Sequence, residues 1–338
     1  MKAIVVHEFG EPEVMKLEEV ETPQPAGTQV LVKIEAAGVN PVDTYLRTGI
    51  HAHAPQLPYT PGKDAAGVVE ASGDGVTNFK KGDRVYTAGS ISGTYAEYSL
   101  CDETHLGNLP ENVSFDAGAG IWTPYATSYR ALFQKADARS GETVLIHGAS
   151  GGVGVAAVQW AIGARTLMSA RENGSPITDK SVRAPIIGTA SSDEGKQLVK
   201  EQGADAVFDH SDIDHLMEIH EFTGGKGVDI IIEMLANENL ERDFEALAMF
   251  GRIVIVGNRG SIQFTPRQAM TKDATIYGMS LFNAPKEKLD EIHTAIFDGL
   301  EQGFLKPPVS RTFPLADAPL AHRAIIENKA NGQIVLEI

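Results

Sequence analysis

Short apolar stretches at strand-like spacing dominate the first third of the chain. Val30, Leu31, Val32 and Ile34 predict a strand ended by Gly38. Val68-Val69, Arg84-Val85-Tyr86 and Tyr95-Ala96-Glu97-Tyr98 follow, with Gly-Asp and Ser-Gly punctuation between them. The first eight residues read as another strand, and eleven glycines between Gly10 and Gly93 supply turns. This pattern predicts a compact antiparallel β-barrel.

Near Phe115 the period changes. Residues 117–133 carry small and apolar side chains at helical spacing. From Thr143 onward, strands and helices alternate. Val144-Leu145-Ile146, Ile186-Ile187, Ala206-Val207-Phe208, 228–232 and 253–256 read as five buried strands. Helices are predicted over 194–202, with Ser191 and Glu194 as a capping box, and over 213–222. Such alternation specifies an α/β fold, a doubly wound parallel sheet covered on both faces. After 276–281, Leu289, Ile292, Ile296 and Leu300 share one face of a helix that Gly303 stops. A last helix over 318–326 leads into the strand Ile334-Val335-Leu336.

At 338 residues the chain suits two domains with cores that need no covalent staples. Its 29 basic and 45 acidic residues leave a net charge of −16, which disfavours nucleic acid and anionic membranes as partners. The single cysteine, Cys101, excludes an intrachain disulfide and a cysteine-based zinc site, and reads as a small apolar filler. No secretory leader and no apolar run of about 20 residues is present, so the expected location is the cytoplasm.

The strongest chemical signal is Gly148-Ala149-Ser150-Gly151-Gly152-Val153-Gly154, set between the first parallel strand and a helix-forming run. That context is what a dinucleotide fingerprint needs, here in the variant A-x-G-x-x-G. Gly151 and Gly152 let the backbone approach a pyrophosphate, Gly154 lets the helix lie close to the strand, and the N–H groups at the helix start face the negative charge. The tip of the second strand, Gly188-Thr189-Ala190-Ser191-Ser192, carries no acid for a ribose 2′-hydroxyl, which favours NADPH over NADH. Lys196, His210 and Arg259 are candidates to neutralise the 2′-phosphate.

On these residues the chain resembles the zinc-free quinone oxidoreductases of the medium-chain dehydrogenase/reductase superfamily, most closely the zeta-crystallin group. The resemblance rests on the glycine turn and on five further runs: 38–45 (GVNPVDTY), 57–62 (LPYTPG), 79–85 (FKKGDRV), 229–237 (DIIIEMLAN) and 256–260 (VGNRG). It implies a GroES-like catalytic domain over 1–125, a Rossmann NADPH-binding domain over 126–279, and a return to the first domain over 280–338. It further implies NADPH-dependent quinone reduction in a cleft between domains, by an enzyme that is a homodimer or homotetramer.

Carried over by position, Tyr45, Ser150, Gly151, Gly152, Val153, Ser191, His210, Asn239, Val256, Gly257, Asn258, Arg259, Met279, Ser280 and Leu281 would contact the cofactor. Asn40, Tyr45, Tyr59 and Thr127 would line the nicotinamide and substrate end. Zinc alcohol dehydrogenases of the superfamily carry Cys where Asn40 begins Asn-Pro-Val-Asp, and Gly-His-Glu where Gly62-Lys63-Asp64 stands. They also carry a four-cysteine lobe that is missing here, so no catalytic zinc is expected.

The family pattern departs at 163–185, where this chain carries extra residues, polar and containing Gly174, Pro176 and Pro185. They predict a surface excursion at the sheet edge opposite the cofactor crevice. Two rival functions remain: an enoyl or alkenal double-bond reductase, and a non-catalytic crystallin or RNA-binding role. The family also admits one-electron as well as two-electron reduction.

Overall fold

The computed structural model describes residues 1–173, 184–327 and 331–338, with side chains of 165–173 excepted. The chain divides into two units, Met1–Thr123 with Ala295–Ile338, and Pro124–Thr294.

In the first unit, the long strand Gln29–Val39 is the hub of a seven-stranded sheet. It pairs antiparallel with Asp64–Ser72, Tyr98–Asp102 and the terminal strand Gln333–Glu337. The expected strand over 95–98 is shifted. Regular pairing begins only at Tyr98, and Ala96 makes an isolated bridge to Ala3. Gly93, with φ +86°, turns the chain just before, and Thr94 and Tyr95 direct their N–H groups to Pro61. The sheet is antiparallel except where Val309–Pro314 runs parallel to Gln333–Glu337. Ile4, Val30, Val32, Ile34, Val69, Val85, Ile334 and Leu336 form its core. Burying a side chain of this kind contributes about 1.5–3 kcal/mol.

Residues 117–133 were expected to form one helix and form several. Phe115–Ala119 ends at Gly120, and Trp122–Ala126 and Arg130–Lys135 are wide turns flanking Thr127–Tyr129. Pro124 has no N–H for a regular helical bond, and the Ala136 N–H reaches back five residues to Ala131.

In the second unit, six described strands are parallel, in the order Ala206–Phe208, Ile186–Thr189, Val144–Ile146, Val228–Glu233, Leu247–Ile255, Thr275–Gly278. The first strand in sequence lies at the centre and the order reverses beside it, which is the arrangement of a Rossmann sheet. Leu145, Ile187, Ile231 and Ile253 are fully buried, as continuous apolar strands covered on both faces require. The helix Asp193–Glu201 is capped by Ser192, whose hydroxyl accepts from Gly195 N–H at 3.0 Å. The cap is therefore one residue later than the Ser191–Glu194 box expected.

The extra residues also depart from the expected excursion. The helix that starts at Gly152 continues to Asn173. Residues 164–172 are mainly Ala, Arg, Leu, Met and Glu, all good helix formers, and the first strong breaker is Gly174. The rest of the expected loop, 174–183, lies outside the described residues. Among the described residues, no helix is long and apolar enough to cross a membrane.

Candidate functional site

The glycine turn joins the strand Val144–Ile146 to the helix beginning at Gly152. Gly148 has φ +56°, a conformation glycine adopts without strain. A Cβ on Gly154 would sit 2.4 Å from the Gly148 carbonyl oxygen and 2.6 Å from Ala149 Cα, so the helix touches the turn through bare backbone. Gly151 is different. Its φ is not in the left-handed region, and a Cβ there would meet nothing nearer than 3.5 Å. The fold itself does not demand glycine at 151, whereas a pyrophosphate lying against the backbone would. The unpaired N–H groups at the start of the helix provide donors and a positive dipole end for that anion. The residues present thus fit a dinucleotide.

The other expected cofactor residues of this unit follow the carboxyl ends of neighbouring strands. Asn239 lies in the helix Ala236–Asn239 after the fourth strand, with its Nδ2 donating to Glu233 Oε1 at 3.1 Å. Val256, Gly257, Asn258 and Arg259 follow the fifth strand, and Arg259 N–H donates to Asn237 Oδ1 at 2.8 Å. Met279 N–H reaches the Ile255 carbonyl at 3.0 Å, and Ser280 and Leu281 come next. Ser150, Gly151, Gly152, Val153 and Ser191 are partly exposed, as are Val256, Gly257, Met279, Ser280 and Leu281. Thr127, also of this unit, is buried.

Of the three cations expected near a 2′-phosphate, Lys196 is committed to Asp209 at 2.7 Å, and that pairing holds Asp209 down to about 2. The exposed His210 faces Thr189 Oγ1 from Nδ1 at 3.3 Å. Arg259 is exposed, and its guanidinium makes no ion pair among the described residues.

In the first unit, Asn40 caps the helix Pro41–Arg47. Its N–H donates to Asp43 Oδ2 at 2.8 Å, completing a capping box that the Asn-x-x-Asp spacing could have signalled. Its amide is fixed at both ends, with Nδ2 donating to Asp64 Oδ2 at 3.0 Å and Oδ1 accepting from Gln333 Nε2 at 3.3 Å. Asp64 also accepts from Thr123 N–H at 2.7 Å and Thr123 Oγ1 at 2.8 Å. Burial pushes Asp43 up to about 7 and Asp64 up to about 6, against the hydrogen bonds each accepts. Tyr45, on the same helix, is partly exposed. Tyr59 has a buried hydroxyl with no hydrogen-bond partner among the described residues, and burial together with Asp43 raises its pKa. Asp43, Asp64 and Gln333 were not singled out from sequence. The last two lie far from Asn40 in the chain, and only the sheet pairing brings them to it.

Cys101 is buried, and burial pushes its thiol up to about 12, in keeping with a packing role. His51 and His53 lie near the surface with ring centroids 5.6 Å apart. Among the described residues, a group of metal-capable side chains with no sequence signal is His147, Glu233 and Asp243, all buried within 4.8 Å of one another. His147 Nε2 stands 3.1 Å from Asp243 Oδ1, within hydrogen-bond reach, and 3.7 Å from Glu233 Oε2, an ion-pair distance.

Two family models match the chain: the alcohol dehydrogenase GroES-like domain over residues 26–111 and the zinc-binding dehydrogenase over 180–296. The chain is 45% identical over 338 residues to a quinone oxidoreductase of Homo sapiens, covering 99% of this chain and 97% of that protein. It is 30% identical to a 2-haloacrylate reductase of Burkholderia sp, covering 99% and 98%. The quinone oxidoreductase of Escherichia coli complexed with NADPH superposes with a TM-score of 0.85 at 29% identity, over the whole of both chains.

Proposed function

The chain belongs to the quinone oxidoreductase family of the medium-chain dehydrogenase/reductase superfamily, and from that premise we propose that it reduces quinones with NADPH and without a metal. The observation that carries the metal-free part is the identity of the residues at the zinc-ligand positions of the superfamily. Asn40 stands at one, its amide committed to Asp64 and Gln333, and Lys63 stands at another. Neither offers a thiolate or an imidazole.

In this reading residues 126–279 bind NADPH, and 1–125 with 280–338 form the catalytic domain. When bound, the dinucleotide supplies a hydride. The turn Ser150 to Val153 holds the pyrophosphate. Ser191 and His210 serve the adenosine end, with Arg259 the freest cation for the 2′-phosphate. Asn239, Val256 to Asn258, Met279 to Leu281 and Tyr45 hold the remainder. Asn40 and the Tyr45 hydroxyl steady the substrate oxygen that gains negative charge, and Tyr59 and Thr127 line the same end. A quinol oxygen takes its proton from solvent, so no dedicated acid is needed. The enzyme is cytoplasmic and a homodimer or homotetramer.

The test is NADPH oxidation across quinones, enones and enoyl thioesters, repeated with NADH and after exhaustive chelation. Rapid turnover of quinones with NADPH, unchanged by the chelator, is expected. Preference for NADH, or loss of activity on metal removal, would overturn the reading. A Tyr45→Phe enzyme with full turnover removes that hydroxyl from the scheme. The likeness to a 2-haloacrylate reductase favours one second reading, reduction of an activated carbon–carbon double bond, which the same panel separates.

A further inference from the structure

The group formed by His147, Glu233 and Asp243 lies beneath the turn where the strand order reverses. His147 immediately precedes Gly148, Glu233 ends the fourth strand, and Asp243 begins the helix Asp243–Ala246. All three are at most 2% exposed. Two ionised carboxylates cannot share such a site without a compensating proton or cation. Asp243 and Glu233 outweigh the opposing effect of burial and raise His147, while burial and Asp243 push Glu233 upward. A further ionisable neighbour among the described residues, His215, presents its ring edge-on at 6.2 Å and is itself lowered by burial, and Arg242 acts on it from beyond.

From this group, hydrogen bonds run in both directions along the carboxyl edge of the sheet. On one side, Glu233 Oε1 accepts from the Leu235 N–H and from Asn239 Nδ2. On the other, His147 Nδ1 faces Thr189 Oγ1 at 3.4 Å. Thr189 is fully buried, and its Oγ1 accepts from the Gly148 N–H at 3.1 Å and faces His210 Nδ1 at 3.3 Å. These contacts can all be satisfied at once in one arrangement. A doubly protonated His147 donates to Asp243 and to Thr189, and the Thr189 hydroxyl then donates to His210 Nδ1. If His147 loses its Nδ1 proton, the Thr189 hydroxyl must turn back to it and the bond from Thr189 to His210 is lost.

We propose that His147, clamped by Asp243 and Glu233, is a positioning residue that holds the glycine turn, Asn239 and His210 in one arrangement for the dinucleotide. The inference rests on the NADPH reading above. It concerns residues that reach the cofactor only through others, so its signature is in binding, not in the chemical step.

The experiment is calorimetric titration of the full chain with NADPH from pH 6 to 9, on the wild type, His147→Gln and Glu233→Gln. Glu233→Gln keeps an acceptor for Leu235 and Asn239 but removes the charge that faces His147. The expected wild-type affinity falls as pH rises through the loss of the His147 proton. Glu233→Gln should move that midpoint to lower pH, and His147→Gln should flatten this dependence and weaken binding about tenfold. If His147→Gln does not fold, the Glu233→Gln shift alone decides. Variants that match the wild-type pH profile while only melting earlier would overturn the proposal. So would one zinc ion per chain by elemental analysis, lost in His147→Gln, because the group would then be a ligand set. A wild type that binds no NADPH at any pH would instead reject the cofactor reading itself.

Discussion

Single residues carry distinguishable duties in the glycine turn. The contacts of Gly154 are with protein backbone, so Gly154→Ala forces the helix and turn apart and should destabilise the free chain by about 1–3 kcal/mol. Gly151→Ala meets only an ordinary contact with the Gly148 carbonyl oxygen and should unfold like the wild type, yet bind NADPH more weakly. Paired urea denaturation and NADPH titration separate the two. Asp43 makes a pH prediction. Its folded carboxyl is raised to about 7 by burial, so its contribution is full below the unfolded pKa and is lost as pH rises through 7. Asp43→Asn keeps an oxygen for the Asn40 N–H and removes the charge. Relative to that variant, the wild type should lose about 2 kcal/mol between pH 5 and 7, read by denaturation at each pH. His322, pushed down to about 3 by burial and Arg47, contributes an opposite slope below pH 6.5 that both chains share.

At the scale of elements, helix boundaries are where the pattern misled. Ser191 and Ser192 are adjacent hydroxyls, and either satisfies a cap rule on paper. The strand Ile186–Thr189 and the turn after it deliver Ser192, not Ser191, opposite the Gly195 N–H. Ser192→Ala should therefore cost about 1 kcal/mol in urea denaturation. Ser191→Ala should, on the proposed role, lower NADPH affinity. The helix from Gly152 makes a related point. Family pattern argued for an early stop, but local propensity carries the helix to Asn173.

For the whole molecule, the order of the chain and the order of the sheets differ. The helix Lys286–Glu301 takes the chain out of the second unit, and the last residues then complete the first. Gln333–Glu337 pairs with Gln29–Val39 on one side and Val309–Pro314 on the other, and Gln333 also holds the Asn40 amide. Removing residues 332–338 should leave Ala36–Val39 of the hub strand and all of Val309–Pro314 without that partner, so the product should lose cooperative unfolding and near-ultraviolet dichroism.

The two kinds of architecture, the central strands and the dinucleotide turn were legible in the chain because each depends on local rules. Alternation selects antiparallel strands, unbroken apolar runs select buried parallel ones, and a turn that brings backbone against phosphate needs glycine within a few residues. The acid-free tip at Thr189 to Ser191 was equally local. The partners of Asn40 were not, since Asp64 and Gln333 arrive from 24 and 293 residues away. Nor was the meeting of His147 with Glu233 and Asp243, whose charges matter only once burial removes water from around them. Sequence by itself determined which elements form and which cofactor chemistry they can serve. Tertiary structure alone decided which ionisable groups meet out of water, because that depends on distance and desolvation, and neither is a property of neighbours along the chain.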